Sequence, residues 1–176
     1  LQTRYVPKPL LIGRTILIPK GDDSSDPANY RPITIFSILR RVIEKIYDKF
    51  LRQQLELDHS QRGFISGIPG CQINSILVNA TIKNAKEKKK DCAIAFLDLA
   101  KAFDNVGHDH IESSLDSYGI STNLSRAIMA LVSNSSTQIH INNQRSEPIM
   151  IKRSVPQGGP LSPMLFNLAI DYVYRT

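Results

Sequence analysis

The run CAIAFLDL, residues 92–99, constrains the fold more than any other stretch of this sequence. Its near-continuous apolar character predicts a strand buried on both faces or at a sheet centre. Along the chain such strands interleave with helices, which predicts mixed α and β structure. One residue breaks the apolar run. Asp98 sits near its end, and a carboxylate there is costly to bury unless it is paired or binds a cation. Hard divalent cations take oxygen ligands, and the main-chain carbonyl of Leu99 stands beside it. On this motif alone, a capping or ion-paired aspartate is the commoner outcome.

The remaining elements fit a mixed architecture. GRTILIPKG (13–21) reads as a strand ended by Pro and Gly, and DDSSDPANYRP as a loop dense in turn formers. Residues 36–57 read as the strongest helix, with an apolar face of Leu39, Val42, Ile43, Ile46, Phe50 and Leu51. QRGFISGIPG is a Gly-rich loop, followed by a helix from about Cys71 into a lysine run. HDHIESSLDSYG predicts a helix ended by Gly119, and Ser121 is placed to cap the next helix, with Leu124, Ala127, Ile128 and Leu131 inward. TQIHINNQRSEPIMIKRSV alternates like a hairpin around Asn142 and Asn143. QGGPLSPMLFNLAIDYVY is a glycine turn leading into a last helix. Met129, Met150 and Met164 have apolar neighbours and read as core.

With 176 residues, 41% of them hydrophobic, the chain has enough material for one domain with a real core. No apolar stretch is long enough to span a bilayer. No leader pattern is visible in LQTRYVPKPLLIG, and the absence of an initiator Met suggests a fragment of something longer. Cys71 and Cys92 belong to no zinc pattern and are read as thiols. The net charge of +6 is unevenly spread. Residues 1–90 hold sixteen Lys/Arg against eight Asp/Glu, and residues 91–176 hold six against eight. A basic first half suits a polyanion, although the run KNAKEKKK taken alone is a solvated helix end.

Two further motifs carry chemistry. In VPQGGPLSPMLFNL, Gly158 and Gly159 allow backbone to approach a ligand closely, and Gln157 offers an amide beside that opening. Pro160 and Pro163 fix the start of the helix. In LIPK…NYRPI, Lys20 and Arg31 flank a loop, an arrangement able to clamp a triphosphate. Each signal alone is weak, and a plain loop-to-helix junction explains the second motif as well.

Taken in order, TILIPK…NYRPI, QRGFISGIPGCQIN, FLDLAKAFDNV and VPQGGPLSPMLFNLAID resemble the blocks of a reverse transcriptase over about residues 12–176. The QRGF…GCQIN and LAKAFDNVGHD stretches are most similar to non-LTR retrotransposon enzymes of the site-specific lineage. The resemblance implies an α+β fold, the fingers and partial palm of a right-hand polymerase, truncated before the catalytic Asp-Asp hairpin. Residues 1–11 would be a remnant of an upstream region, about 12–90 fingers, and 91–176 mostly palm. It implies an RNA-directed DNA polymerase working by two-metal nucleotidyl transfer. The cofactors would be two Mg²⁺ ions in the complete enzyme, with Mn²⁺ as a substitute. The partners would be an RNA template, a DNA primer or target and dNTPs, with no membrane; the location would be intracellular and nuclear.

The same resemblance assigns roles. Asp98 would be a catalytic aspartate and metal ligand, and Leu99 would donate its carbonyl to a metal. Phe103 would lie under the nucleotide sugar, where a bulky ring leaves no room for a 2′-OH. Gln157, with Gly158 behind it, would pack on the incoming nucleotide, and Lys20 and Arg31 would hold its triphosphate. Gln61 and Arg62 would contact the template backbone. Asp104 would be structural, capping the following turn.

The family's next block, an aromatic-Ala-Asp-Asp motif, is absent: DYVYRT follows Ile170, and Asp171 has the wrong context for it. A single carboxylate cannot hold two divalent ions, so the polypeptide as given is expected to be inactive. The GG form at Gly158 and Gly159 is familiar from group II intron enzymes, which makes them the runner-up within the class. A non-catalytic nucleic-acid-binding remnant of a decayed element is the alternative outside it. His108 and His110 have no further ligands beside them and read as solvated. SGIPGC lacks the GK[ST] of a P-loop.

Overall fold

The computed structural model describes residues 6–20, 25–142 and 144–175, in mixed α and β structure. A short helix α1 (Lys8–Leu11) runs into strand β1 (Ile12–Pro19). A 3-10 turn (Pro27–Asn29) leads to β2 (Tyr30–Ile35), then to α2 (Ile38–Gln54) and α3 (Gly70–Glu87). Three helices follow: α4 (Ala102–Asn105), α5 (His108–Ser117) and α6 (Thr122–Val132). The strands β3 (Ser136–Ile141), β4 (Gln144–Arg145) and β5 (Ile149–Met150) precede α7 (Ser162–Ile170) and a 3-10 turn (Asp171–Val173). Parts of two expected loops, residues 22–24 and Asn143, lie outside the described residues, as do residues 1–5 of the expected upstream remnant and Gly21 of the first strand.

The sheet runs β2-β1-β3-β4, with β5 also on β3. β1 is antiparallel to β2, with Arg14 opposite Ile35 and Pro19 opposite Tyr30, and parallel to β3, with Ile12 opposite Ser136. Strand β2 starts within the stretch expected to be loop. It tolerates Pro32 because β2 is the sheet edge, where a missing N–H costs no ladder bond. Hydroxyls link the three strands: Thr15 Oγ1 lies 2.7 Å from Thr34 Oγ1 and 2.6 Å from Thr137 Oγ1. The hairpin around Asn142 forms as the alternation predicts, with Ile141 opposite Gln144 and Asn142 at φ 46°.

The core lies in the second half. Ile111 and Leu115 from α5, Leu124, Ile128 and Val132 from α6, and Met164, Leu165 and Leu168 from α7 close on Val155 and on Leu51 of α2. Gly119 at φ +66° ends α5 as expected, and Ser121 stands at the N-cap of α6 without a side-chain cap bond.

Three expectations fail in instructive ways. CAIAFLDLA is not a paired strand: residues 91–99 join no ladder among the described residues, and Phe96 and Leu97 are 83% and 93% exposed. Apolar composition marks a segment as fit for a sheet centre, but it cannot supply the neighbouring strands that take up its backbone N–H and C=O groups. Helix α2 is capped by Ser37, whose Oγ accepts the Arg40 N–H at 3.3 Å, yet it is rotated from the expected face. Of the expected face only Leu51 is buried and Ile43 half-buried; Leu39, Val42, Ile46 and Phe50 are exposed, whereas Arg40 and Glu44 are buried. Met150 is exposed, while Met129 and Met164 are in the core.

The inversion of α2 has a polar cause. Arg40 is 1% exposed; its Nε donates to Glu44 Oε1 at 2.7 Å, and its Nη1 to Ser135 Oγ at 2.7 Å and to Leu10 O at 3.0 Å. Its guanidinium stacks 3.6 Å from the Phe36 ring centroid. Burial lowers the Arg40 pKa from its ordinary value, against the pull of the Glu44 carboxylate.

A second buried charge fastens the end of α7. Asp171 accepts hydrogen bonds from Tyr118 Oη, from Arg175 Nε at 2.8 Å and from the Asp58 N–H at 2.9 Å. Burial disfavours its charge, but those donors outweigh it and hold its pKa below the ordinary carboxylate value. Tyr118, partly desolvated and bonded to that carboxylate, is pushed up to about 12. Asp171→Asn is expected to lower unfolding stability by about 2–3 kcal/mol in denaturant titration. Because the folded-state pKa is depressed, this contribution is present above about pH 4 and lost as pH falls through the folded value. The variant's stability is therefore flatter between about pH 5 and pH 3 than that of the parent chain.

Candidate functional site

The β1–β2 hairpin sets two cations at one end of the sheet. Arg31 pairs with Ile18, and Lys20 directly follows β1, its N–H donating to Asn29 O at 2.7 Å. Lys20 Nζ donates to Ala28 O at 3.0 Å, which turns the side chain toward the loop; an ammonium has further donors to offer. These two residues and Gln157 line one cleft of about 340 Å³. Three residues singled out in two distant motifs are thus brought together.

Gln157 is held at both ends. Its carbonyl accepts the Thr34 N–H of β2 at 2.9 Å, and its Nε2 donates to Asp104 Oδ1 at 3.3 Å. The glycines behind it are required by close packing. Gly158 has φ +111°, and a Cβ there would stand 3.1 Å from Thr34 O. A Cβ on Gly159 would stand 2.7 Å from Ser162 Oγ and 3.1 Å from Glu44 Oε2. Segment 103–106 runs against the same turn, since Val155 N donates to Phe103 O at 3.0 Å and Ser154 N to Val106 O at 2.8 Å.

The cleft is also lined by Lys101, which sequence reasoning missed, and by Asp104, which it expected to be only structural. Lys101 adopts the left-handed conformation (φ 50°, ψ 46°) that ends the extended run and starts α4. Asp104 differs from its expected capping role: its carboxylate fixes the Gln157 amide. The only available signal was their place on either side of Phe103. Three cations around one cleft, with an amide anchored at its rim, suit a ligand carrying several phosphates.

The other expected site residues lie elsewhere. Phe103 is half-buried, stacked on Phe166 at 4.9 Å between centroids and 9° between planes, and met edgewise by Phe64 at 6.1 Å and 85°. Asp98 is exposed on the unpaired segment, and Leu99 borders a different cleft beside α7. Gln61 is buried and its Oε1 accepts the Gly63 N–H at 3.1 Å, so it faces inward rather than toward a nucleic-acid backbone. Arg62 is half-buried and donates to Asn74 Oδ1 at 2.8 Å. His108 is also buried, with Nε2 3.2 Å from Ser154 O, so its ring packs inside instead of standing in solvent; His110 is exposed as expected, with Nε2 2.7 Å from Ala169 O.

The donor set does not fit a pair of divalent ions. No group of three or more His, Cys, Asp or Glu side chains gathers among the described residues. Asp98 and the Leu99 carbonyl are the only ligands that the sequence motif supplies. Cys71 and Cys92 are both exposed free thiols. No helix among the described residues is long and apolar enough to cross a membrane.

Comparison with known proteins agrees with the motif order. Residues 18–176 match the family model described as reverse transcriptase (RNA-dependent DNA polymerase). The chain is 40% identical over 168 residues to the retrovirus-related Pol polyprotein from type-1 retrotransposable element R2 of Popillia japonica, covering 95% of this chain and 24% of that protein. It is 38% identical over 169 residues to the corresponding polyprotein of Nasonia vitripennis, covering 96% and 16%. It is 33% identical over 171 residues to the polyprotein from type-2 retrotransposable element R2DM of Drosophila melanogaster, covering 97% and 16%. The chain therefore spans a quarter or less of the length of these relatives.

Proposed function

Because this chain belongs to the reverse transcriptase family, we propose that it forms the fingers and part of the palm of a retrotransposon polymerase that copies element RNA into DNA. The observation that carries this reading is the cleft in which Lys20, Arg31 and Gln157 meet. Residues 12–90 make up the fingers and residues 91–176 most of the palm. Segment 92–99, which joins no ladder among the described residues, would pair as a palm strand of the right-hand polymerase fold with the hairpin that carries the catalytic aspartate pair, a motif this sequence does not contain. R2 polyproteins among the relatives favour a retrotransposon source over a group II intron or a binding-only remnant.

The cleft binds the triphosphate of a dNTP. Lys20, Arg31 and Lys101 neutralise its charge where water is partly excluded, and Gln157 packs on the nucleotide. Phe103 excludes the 2′-OH. Reverse transcriptases generally use divalent metal ions; Mg²⁺ is the ion proposed here, with Mn²⁺ as substitute. Asp98 and the Leu99 carbonyl would contribute ligands, and further carboxylates that this sequence does not contain would have to complete the set. RNA template and DNA primer are the partners, and the nucleus is the place of action.

The test is RNA-templated primer extension. A polypeptide carrying this domain together with the rest of the polymerase is expected to incorporate dNTPs, and this 176-residue chain alone is expected to incorporate none. In the active form, Lys20→Ala or Arg31→Ala is expected to raise the dNTP KM about 10- to 100-fold, the worth of one charge-assisted hydrogen bond. Extension by this chain alone, or an unchanged KM in both variants, refutes the assignment.

A further inference from the structure

The expected nucleotide-selecting ring does not stand alone. Phe103 stacks on Phe166 of α7 and is met edgewise by Phe64 from the QRGF loop. Phe64 reaches that place in an unfavourable backbone conformation, φ 56°, which bulky non-glycine residues rarely adopt. Phe64 as a whole residue is also more than half exposed, so burial alone does not explain the strain. The loop is held from two sides. Asn167 Nδ2 of α7 donates to Gly63 O at 2.6 Å, and Arg52 of α2 approaches Phe64 O at 3.4 Å. Asn167 directly follows Phe166, so one turn of α7 supports both the stacking partner and the loop that carries Phe64.

We infer that Phe64 is a positioning residue for nucleotide selection: its ring fixes the orientation of Phe103 and thereby sets discrimination between deoxyribo- and ribonucleotides. This rests on the proposed role of Phe103 at the sugar. An aromatic ring on Phe166 alone can slide in its plane at little cost, because offset stacking has a broad minimum. A perpendicular contact from a second ring removes that freedom. The QRGF loop thus controls a choice made at the nucleotide.

The test measures kcat/KM for dNTP and for the matching rNTP in the complete polymerase, with Phe64→Leu, Phe64→Tyr and Phe103→Leu compared with the parent. Phe64→Leu keeps apolar bulk and loses the ring. It is expected to reduce the dNTP-to-rNTP ratio about three- to tenfold, the worth of an aromatic pair, mainly by improving rNTP use. Phe64→Tyr restores the ring and is expected to restore the ratio. If Phe103→Leu changes the ratio and Phe64→Leu lowers both substrates equally, Phe64 serves only the fold and the inference is overturned. If Phe103→Leu leaves the ratio unchanged, the role of Phe103 at the sugar fails, and the inference falls with it by a distinguishable pattern.

Discussion

Asp98→Ala in the complete polymerase is expected to reduce DNA synthesis by at least about a thousandfold while leaving affinity for the primer–template nearly unchanged. The reasoning is chemical. Phosphoryl transfer depends on placing and neutralising charge, and removing one electrostatic contact to the reacting centre typically costs two to three orders of magnitude in rate. A metal-ligating carboxylate exceeds that figure because its loss also weakens what the remaining ligands hold. Binding is spared because nucleic-acid affinity rests on phosphate contacts to basic residues, and residues 1–90 hold sixteen Lys/Arg against eight Asp/Glu. Asp98 is exposed and makes no hydrogen bond that the fold depends on, so Asp98→Ala is also expected to leave the melting temperature of this chain unchanged. A variant that loses synthesis and stability together contradicts a purely chemical role.

The second large effect is on stability, at the buried pair in α2. Arg40→Met leaves the Glu44 carboxyl group 4% exposed and without its partner. The expected cost is about 3–5 kcal/mol in urea or guanidinium titration. The double variant Arg40→Met with Glu44→Leu removes both charges, and much of that loss is expected to return, because apolar replacement of a buried pair is often near neutral. The two effects are therefore strongly non-additive. Among the described residues Glu44 Oε2 has no hydrogen-bond partner and faces Gly159, so the carboxylate depends on Arg40 for its charge-assisted contact. Additive losses in the two single variants and the double variant would show that the charges act independently.

Residue patterns reveal the cleft better than they reveal the elements around it. Lys20, Arg31 and Gln157 stand in motifs whose chemistry is local: cations beside a turn, an amide before paired glycines. Their meeting follows from strand β2, which carries Arg31 and whose Thr34 binds the Gln157 carbonyl. Lys101 escaped notice because its cleft position depends on a left-handed turn that no residue pattern announces. Asp104 was read as a local cap because its actual partner, Gln157, is 53 positions away. The face of α2 was misjudged for a similar reason. Helical period identifies an apolar stripe, but Arg40 finds its acceptors on Leu10 and Ser135, far along the chain. Once those hydrogen bonds are made, Arg40 and Glu44 are buried in the first half of the helix and most of the stripe turns outward, while Leu51 still reaches the core. Residues 92–99 show the same limit in strand form, because pairing is a property of neighbours.

The most direct test is to locate a bound nucleotide. A photoreactive dNTP, cross-linked in the complete polymerase on an RNA template and DNA primer, is expected to label peptides containing Lys20, Arg31, Lys101 or Gln157, and excess unmodified dNTP is expected to suppress that labelling. Labelling confined to the surface around Arg52 to Ile68, with the cleft untouched, would contradict the account.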